Sequence, residues 1–333
     1  MFNFKQMLLK HALPGRWAEN HRFTSIIRFR KKFLHTNHNI TGATVGCNQL
    51  FPSYGRRFGS SRSRTACVKM AFNKHGDRGD SSLPPVMIMH GVLGSKNNWN
   101  SLSKAINAKT NRQVIALDAR NHGDSPHTDS FSYELMAEDV VLLMDEMNVD
   151  KSCLIGHSMG GRTMMRVSLT YPERVEKMIV VDISPIQLSA SLVIEKYLDL
   201  FETVPLDNSL PLSQVRRDAD LFLSSQIPEA DIRQFLLSNL TKVDNQFKWK
   251  VNIRSLKNNF ENILKFPLEN EVFDGPVLFI GGKRSDYLRT EDHAKIKRFF
   301  PRAQFAYLDT GHWVHAEQPS QFLVLAADFI RSP

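Results

Sequence analysis

A G-x-S-x-G pentapeptide, from Gly156 to Gly160, constrains the fold of this chain more than any other feature of its sequence. An apolar run of strand type, residues 152–155, precedes it, and residues 159–170 have the pattern of a helix. A tight turn between a strand and a helix holds a serine hydroxyl out over the edge of a sheet. Glycine is needed on both sides because side chains there would collide with neighbouring backbone. The motif therefore predicts Ser158 as a nucleophile.

The same turn predicts where negative charge would be stabilised during a reaction. The helix that follows the serine begins at Met159, so its first amides and the positive end of its dipole point toward that position. A second donor is expected from a glycine-containing loop after an early strand, and residues 89–95 fit this description. We predict an oxyanion hole formed by the backbone amides of Val92 and Met159.

A serine hydroxyl is a weak nucleophile, so it needs a base, and the base needs an acid that orients it. In chains with this turn the acid and then the histidine follow the serine. His312 lies in the loop between the last predicted strand and the last predicted helix, and we predict it as the base. Two acids lie at the ends of predicted strands, Asp182 and Asp286. The residues alone leave the choice between them open.

Short β-branched runs alternate with helical stretches through most of the chain. The predicted strands span residues 86–89, 114–117, 152–155, 178–181, 277–280 and 304–308, and the predicted helices span residues 99–106, 133–147, 159–170, 292–299 and 319–330. Such alternation predicts an α/β fold, a mostly parallel central sheet with helices on both faces and an active site at the carboxyl ends of the strands. Residues 186–270 read as successive helices, which predicts an inserted helical cap.

Basic residues are concentrated in the first seventy positions, where thirteen Lys and Arg residues stand against one acid, Glu19. The formal charge of the whole chain is +9, so residues 71–333 are mildly acidic and have no basic excess with which to bind nucleic acid. A leader of this composition, with apolar residues among its charges, is typical of a mitochondrial transit peptide. We therefore expect a leader at residues 1–70, one domain at residues 71–333 and a location in the mitochondrial matrix. A disordered basic tail on a cytosolic protein is the alternative.

No stretch of the chain approaches the roughly 18 consecutive apolar residues that a membrane-spanning helix needs. Peripheral contact is therefore the most that we expect with a membrane. The chain also lacks a C-x-x-C pair of the kind that binds zinc. The sequence thus predicts no metal site.

The motifs together resemble a known family. An H-G loop, a D-x-R-x-H-G-x-S turn, G-H-S-M-G-G and G-H-W stand in the order found in the α/β-hydrolase superfamily, and the resemblance covers nearly all of residues 80–331. The segments at residues 90–95, 181–185 and 311–317 are similar to mitochondrial α/β-hydrolase-domain proteins regarded as sn-1-specific diacylglycerol lipases, and to bacterial short-chain acyl esterases. The resemblance implies the α/β-hydrolase fold with a helical cap.

The resemblance also bears on the acid. In these relatives the acid lies in a D-I-S/A-P segment, which corresponds here to Asp182. Asp286 departs from the family pattern, since the Gly-Gly segment usually lacks an acid at that place. The resemblance therefore favours Asp182, and Asp286 remains the alternative.

The function that the resemblance implies is that of a serine ester hydrolase. Its substrate would be a small-molecule acyl ester, in particular a lipid such as diacylglycerol, and the reaction would use a Ser-His-Asp triad and an acyl-enzyme intermediate. Such a reaction requires no cofactor. One alternative is a thioesterase or another acyl hydrolase, which would use the same residues. The other is a catalytically idle hydrolase fold that acts as a binding protein in mitochondria.

Overall fold

A computed structural model of the chain describes residues 66–76, 82–186 and 192–333. The strands are β1 (Phe72–His75), β2 (Val86–Met89), β3 (Val114–Leu117), β4 (Ser152–His157), β5 (Val175–Val181), β6 (Leu240–Val243), β7 (Gln246–Trp249), β8 (Val277–Gly282) and β9 (Ala303–Leu308). The helices are α1 (Asn100–Thr110), α2 (Tyr133–Glu146), α3 (Met159–Thr170), α4 (Leu192–Thr203), α5 (Leu212–Ser224), α6 (Ala230–Leu237), α7 (Ile253–Asn258), α8 (Phe260–Leu264), α9 (His293–Ile296), α10 (Val314–Glu317) and α11 (Pro319–Arg331).

Seven of these strands form one sheet in the order β1-β3-β2-β4-β5-β8-β9. β1 pairs with β3 in antiparallel fashion, and the other neighbours in the sheet are parallel. The predicted α/β class with a mostly parallel sheet is confirmed. All six predicted strands are present in this sheet. Its seventh strand, β1, was not predicted; it is a short edge strand whose residues are half-buried or exposed.

The two faces of the sheet carry separate hydrophobic cores. Along β2, Met87 belongs to one core and Val86 and Ile88 to the other. Side chains from α2 and α3 complete the first core, and side chains from α1 and α11 complete the second. Because every residue of β2 is buried on one face or the other, the strand reads as a continuous apolar run.

The segment between β5 and β8 forms the cap. It contains α4 to α8, and it also contains an antiparallel hairpin of β6 and β7. The cap was predicted as successive helices, so the hairpin is an element that the sequence did not predict. Asp244 and Asn245 form the two-residue turn of the hairpin, with φ values of 51° and 62°, which is the conformation that tight hairpins need. The hairpin was missed because its strands are half-exposed and lack a buried apolar run.

Most of the predicted leader, residues 1–65, lies outside the described residues. Residues 66–70 pack against the domain. Val68 and Met70 are buried, and the Val68 amide donates a hydrogen bond of 2.8 Å to the carboxylate of Asp139. The packed domain therefore begins before the predicted boundary at residue 71. No helix within the described ranges is long and apolar enough to cross a membrane.

Candidate active site

Ser158 lies in the turn between β4 and α3, with φ 52° and ψ −117°. This conformation is strained for a residue with a side chain. The turn is tight because glycine flanks the serine. A Cβ atom on Gly156 would lie 2.3 Å from the carbonyl oxygen of Gly160, and a Cβ atom on Gly160 would lie 2.5 Å from the carbonyl oxygens of Met89 and His90. Only glycine fits at either position.

His312 and Asp182 meet across the ends of two strands. His312 follows β9, and its Nδ1–H donates a hydrogen bond of 2.7 Å to Oδ2 of Asp182. Asp182 directly follows β5, is fully buried, and turns toward His312 with a φ of 48°. Asp286, the other candidate acid, has an exposed side chain. Of the two carboxylates, Asp182 is the one that the structure brings to His312.

The carboxylate of Asp182 is held by two further donors. The backbone amide of Gly282 donates to Oδ1 at 2.8 Å, and the hydroxyl of Ser285 donates to Oδ2, the oxygen that also accepts from His312. These donors fix the plane of the carboxylate. The orientation of the His312 ring is therefore fixed as well.

The loop after β8 contributes two side chains that the sequence analysis did not single out. One is Ser285, which donates to Asp182. The other is Tyr287, whose ring stacks on His312 with the centroids 4.1 Å apart. Asp286, which lies between them, is the only side chain of this loop that the sequence predicted as a candidate. Nothing in the sequence pattern distinguishes the three side chains by the direction in which each one points.

Two other histidines lie beside His312. His157 is next to Ser158 in the chain, and its Nε2–H donates to the His312 carbonyl at 3.0 Å. The ring of His315 stacks on that of Trp99, with 4.2 Å between the centroids. Burial lowers the pKa of His157 well below its usual range and the pKa of His315 to about 3. Both rings are therefore neutral near pH 7, so neither places a positive charge beside His312.

The Val92 loop, residues 91–96, passes directly over Ser158. A Cβ atom on Gly91 would lie 3.2 Å from the Cβ atom of Ser158. Val92 and Met159, whose amides are the predicted oxyanion donors, line a small cavity of about 30 Å³ together with Ser158. The two residues predicted to supply the donors therefore lie beside Ser158.

A larger cavity of about 310 Å³ opens between the cap and the sheet. Ser158 and His312 lie in its wall. The cap and the loop after β9 supply apolar and aromatic side chains, among them Ile194, Tyr197, Ile232, Phe235 and Trp313. An apolar cavity with a few polar groups at one place is typical of a site for a small molecule. Within the described ranges, no group of three or more His, Cys, Asp and Glu side chains is placed to bind a metal ion.

The buried histidines predict how stability depends on pH. Burial lowers the pKa values of His122 and His315 to about 3, whereas histidine in an unfolded chain titrates near pH 6.5. Between these values the unfolded chain binds protons that the folded protein does not. The free energy of unfolding is therefore expected to fall on acidification below about pH 6.5, by roughly 1 kcal/mol per pH unit for each such histidine.

Urea unfolding at pH 7.5, 6.0 and 5.0 measures this slope. His315→Phe keeps an aromatic ring against Trp99 and should make the slope shallower. His127→Gln, at an exposed histidine, is the control for removing one imidazole from the chain. If His315→Phe does not alter the slope, buried His315 is not a source of the pH dependence.

The chain is similar over most of its length to known proteins of one fold family. A family model described as the α/β hydrolase fold matches residues 84–319. The mouse (Mus musculus) protein named sn-1-specific diacylglycerol lipase ABHD11 is 42% identical over 253 residues, which cover 76% of this chain and 82% of the mouse protein. The protein of the same name from zebrafish (Danio rerio) is 38% identical over 295 residues, which cover 88% of this chain and 92% of the zebrafish protein.

Solved structures agree with these sequence matches. The structure of a marine microorganism esterase superimposes on this chain with a TM-score of 0.71 at 33% identity, covering 79% of this chain and 99% of the esterase. The predicted resemblance, and the fold that it implied, are confirmed. The chain belongs to the α/β-hydrolase fold family, as an ester hydrolase.

Proposed function

We propose that this protein hydrolyses acyl esters by nucleophilic catalysis, with Ser158 as the nucleophile, His312 as the general base and Asp182 as the acid that orients the base. The hydrogen bond of 2.7 Å between His312 Nδ1 and Asp182 Oδ2 carries the proposal. Because Nδ1–H donates its hydrogen bond to the carboxylate, Nε2 is the nitrogen that remains to accept a proton. His312 and Ser158 line the same cavity.

In the first half of the reaction the Ser158 hydroxyl attacks the ester carbonyl while His312 Nε2 takes its proton. The carbonyl oxygen becomes an oxyanion, which the Val92 and Met159 amides stabilise together with the dipole of α3. A single donor of this kind contributes about 3 kcal/mol to the transition state in serine hydrolases. His312 then returns the proton to the leaving alcohol, and the acyl group remains on Ser158.

In the second half a water molecule takes the place of the alcohol. His312 removes a proton from the water as the oxygen attacks the acyl-enzyme, and it returns that proton to Ser158 as the carboxylic acid leaves. Asp182 stays ionised throughout and stabilises the positive charge on the His312 ring. The stacking of Tyr287 on one face of His312 limits the movement of that ring between the two steps.

We propose a lipid acyl ester, such as a diacylglycerol, as the substrate. Two observations support this: the mouse and zebrafish relatives are named as sn-1-specific diacylglycerol lipases, and the larger cavity is lined mainly by apolar side chains. Its volume of about 310 Å³ lies near the lower end of the range of roughly 300–1,000 Å³ found for small-molecule sites. The cavity therefore holds part of one acyl chain. The rest of a long-chain lipid would extend past Val193, an exposed residue in the cavity wall.

Labelling with a fluorophosphonate probe tests the nucleophile. We expect one adduct, located at Ser158 by mass spectrometry of the digested protein. The substrate is tested with esters of increasing acyl length and with a diacylglycerol whose two chains differ, so that the released fatty acid reveals the position of cleavage. A folded protein that neither labels nor cleaves any ester would favour the idle binding protein.

The leader supports a proposal about location. Its thirteen basic residues and single acid fit import into the mitochondrial matrix. Cell fractionation combined with sequencing of the mature N-terminus tests this. Recovery of the uncleaved chain in the cytosol would contradict it.

A further inference from the structure

Asn239 connects the cap to the loop that lies over the nucleophile. It lies between α6 and β6, and it is 3% exposed. Its side-chain amide donates a hydrogen bond of 2.8 Å to the carbonyl oxygen of Leu93, which is also buried. Leu93 is the residue after Val92, in the middle of the Val92 loop. A polar side chain of the cap therefore bonds directly to the backbone next to a proposed oxyanion donor.

Leu93 has an unusual conformation that needs support. Its φ is 62°, a region that a bulky residue without a local polar side chain rarely adopts. The turn around it is closed by a hydrogen bond of 3.0 Å from the Gly94 amide to the Gly91 carbonyl. Strain of this kind persists only where the surroundings hold the backbone in place. The bond from Asn239 is one such restraint, and it comes from outside the loop.

The end of the cap hairpin also reaches the far end of the Val92 loop. Lys250 follows β7, and its backbone amide donates to the Asn239 carbonyl at 2.8 Å. Its ammonium group lies 2.7 Å from the carboxylate of Asp124, which also pairs with Lys96 at 2.6 Å. Lys96 ends the loop and is buried against Asp118. The hairpin and the preceding Asn239 thus contact the loop at two places. Asn239 bonds to its middle at Leu93, and Lys250 reaches its end through the ion pairs that Asp124 makes with Lys250 and Lys96.

We propose that Asn239 is a positioning residue for catalysis: by holding the Leu93 carbonyl it sets the Val92 amide over Ser158, so the oxyanion hole is complete only while the cap hairpin is in place. This inference rests on the proposed function. Without the donor on Asn239, the Leu93 carbonyl loses its buried partner and the strained turn relaxes. The Val92 amide then moves away from the position of the oxyanion.

The effect of such a change falls on the transition state. An oxyanion donor bonds to the developing negative charge more strongly than to the carbonyl of the substrate, so its displacement lowers kcat and leaves substrate binding unchanged. Loss of a whole donor costs about 10² to 10³ in kcat. We expect a smaller loss from misplacement, about 10-fold to 100-fold, with KM within about twofold of the wild type. Esters of different acyl length should show the same loss, because the effect arises at the reacting carbonyl.

Asn239→Leu tests the inference, because leucine has a similar size and shape and lacks the donor. Asn239→Ala is the second variant, in case leucine is not accommodated. The control is Asn262→Leu, since the Asn262 side chain also bonds the cap to a core carbonyl, that of Phe131 at 3.1 Å, from α8. We expect Asn262→Leu to keep the wild-type kcat. Melting curves report the folding of each variant.

The outcomes separate this inference from the proposed function. If the wild-type protein hydrolyses no ester, the proposed function fails. If the wild type is active and both folded Asn239 variants keep its kcat, the positioning role is wrong. A rise in KM at constant kcat would also overturn it, because Asn239 would then only shape the binding cavity. An equal loss of kcat in Asn262→Leu would also overturn it, because any weakened contact between the cap and the core would then have the same effect as the loss of the Asn239 donor.

Discussion

Ser158→Ala is expected to lower kcat for ester hydrolysis by a factor of roughly 10⁴ to 10⁶ and to leave the fold intact. Without the hydroxyl no acyl-enzyme forms, and the remaining rate comes from substrate binding and the oxyanion donors alone. Alanine has a Cβ atom as serine does, so the backbone strain at this turn does not change. Initial rates with a short-chain ester, measured beside a melting curve, test both expectations.

Ser168 provides the control for this substitution. It lies on the same helix, α3, is fully buried, and donates its hydroxyl to the Met165 carbonyl at 2.8 Å. Ser168→Ala removes a buried hydroxyl of the same kind and should keep the wild-type kcat. If Ser158→Ala retained more than about one hundredth of the activity, the nucleophile would have to be another residue.

The sequence predicted the sheet well because the strands at its centre are buried on both faces. β2 and β3 were located to the residue from their unbroken apolar runs. The missed strands, β1 and the hairpin β6–β7, lie at the edge of the sheet or outside it, where side chains are half-exposed and no apolar run exists. β9, at the other edge, was predicted because it does carry an apolar run. The apolar run, rather than the place in the sheet, therefore decides whether a strand can be predicted.

In the candidate site, the features that are local in the sequence could be predicted and the long-range contacts could not. The turn that carries Ser158 was recognisable because glycine, strand and helix lie next to one another in the chain. The residues alone left the choice between Asp182 and Asp286 open, because both follow strands that are neighbours in the sheet, and it was the resemblance that favoured Asp182. Which carboxylate reaches His312 depends on burial and side-chain direction, which a local pattern does not encode. Asn239 lies 146 residues from Leu93 along the chain. No local pattern encodes that contact, so only the folded structure reveals it.

Asp182→Asn is expected to lower kcat by about 10⁴, the loss found when the acid of a serine triad is replaced by its amide. The contacts of Asp182 explain why. The Gly282 amide can only donate, so the single oxygen of the asparagine must stay at the Oδ1 position. The new NH₂ group then faces His312 Nδ1, which has to become an acceptor. The ring proton moves to Nε2, and the base can no longer take the proton of Ser158.

Asp286→Asn is the matched control, because it makes the same chemical change at the other candidate acid. Its side chain is exposed, so we expect kcat within about twofold of the wild type. The KM of Asp182→Asn should stay close to the wild-type value, since the tautomer of His312 affects the chemical step and leaves the apolar cavity unchanged. The reverse result, a large loss in Asp286→Asn and a small one in Asp182→Asn, would assign the acid to Asp286. The loop after β8 would then have to rotate toward His312 during the reaction, and the bond between His312 and Asp182 would belong to a resting state.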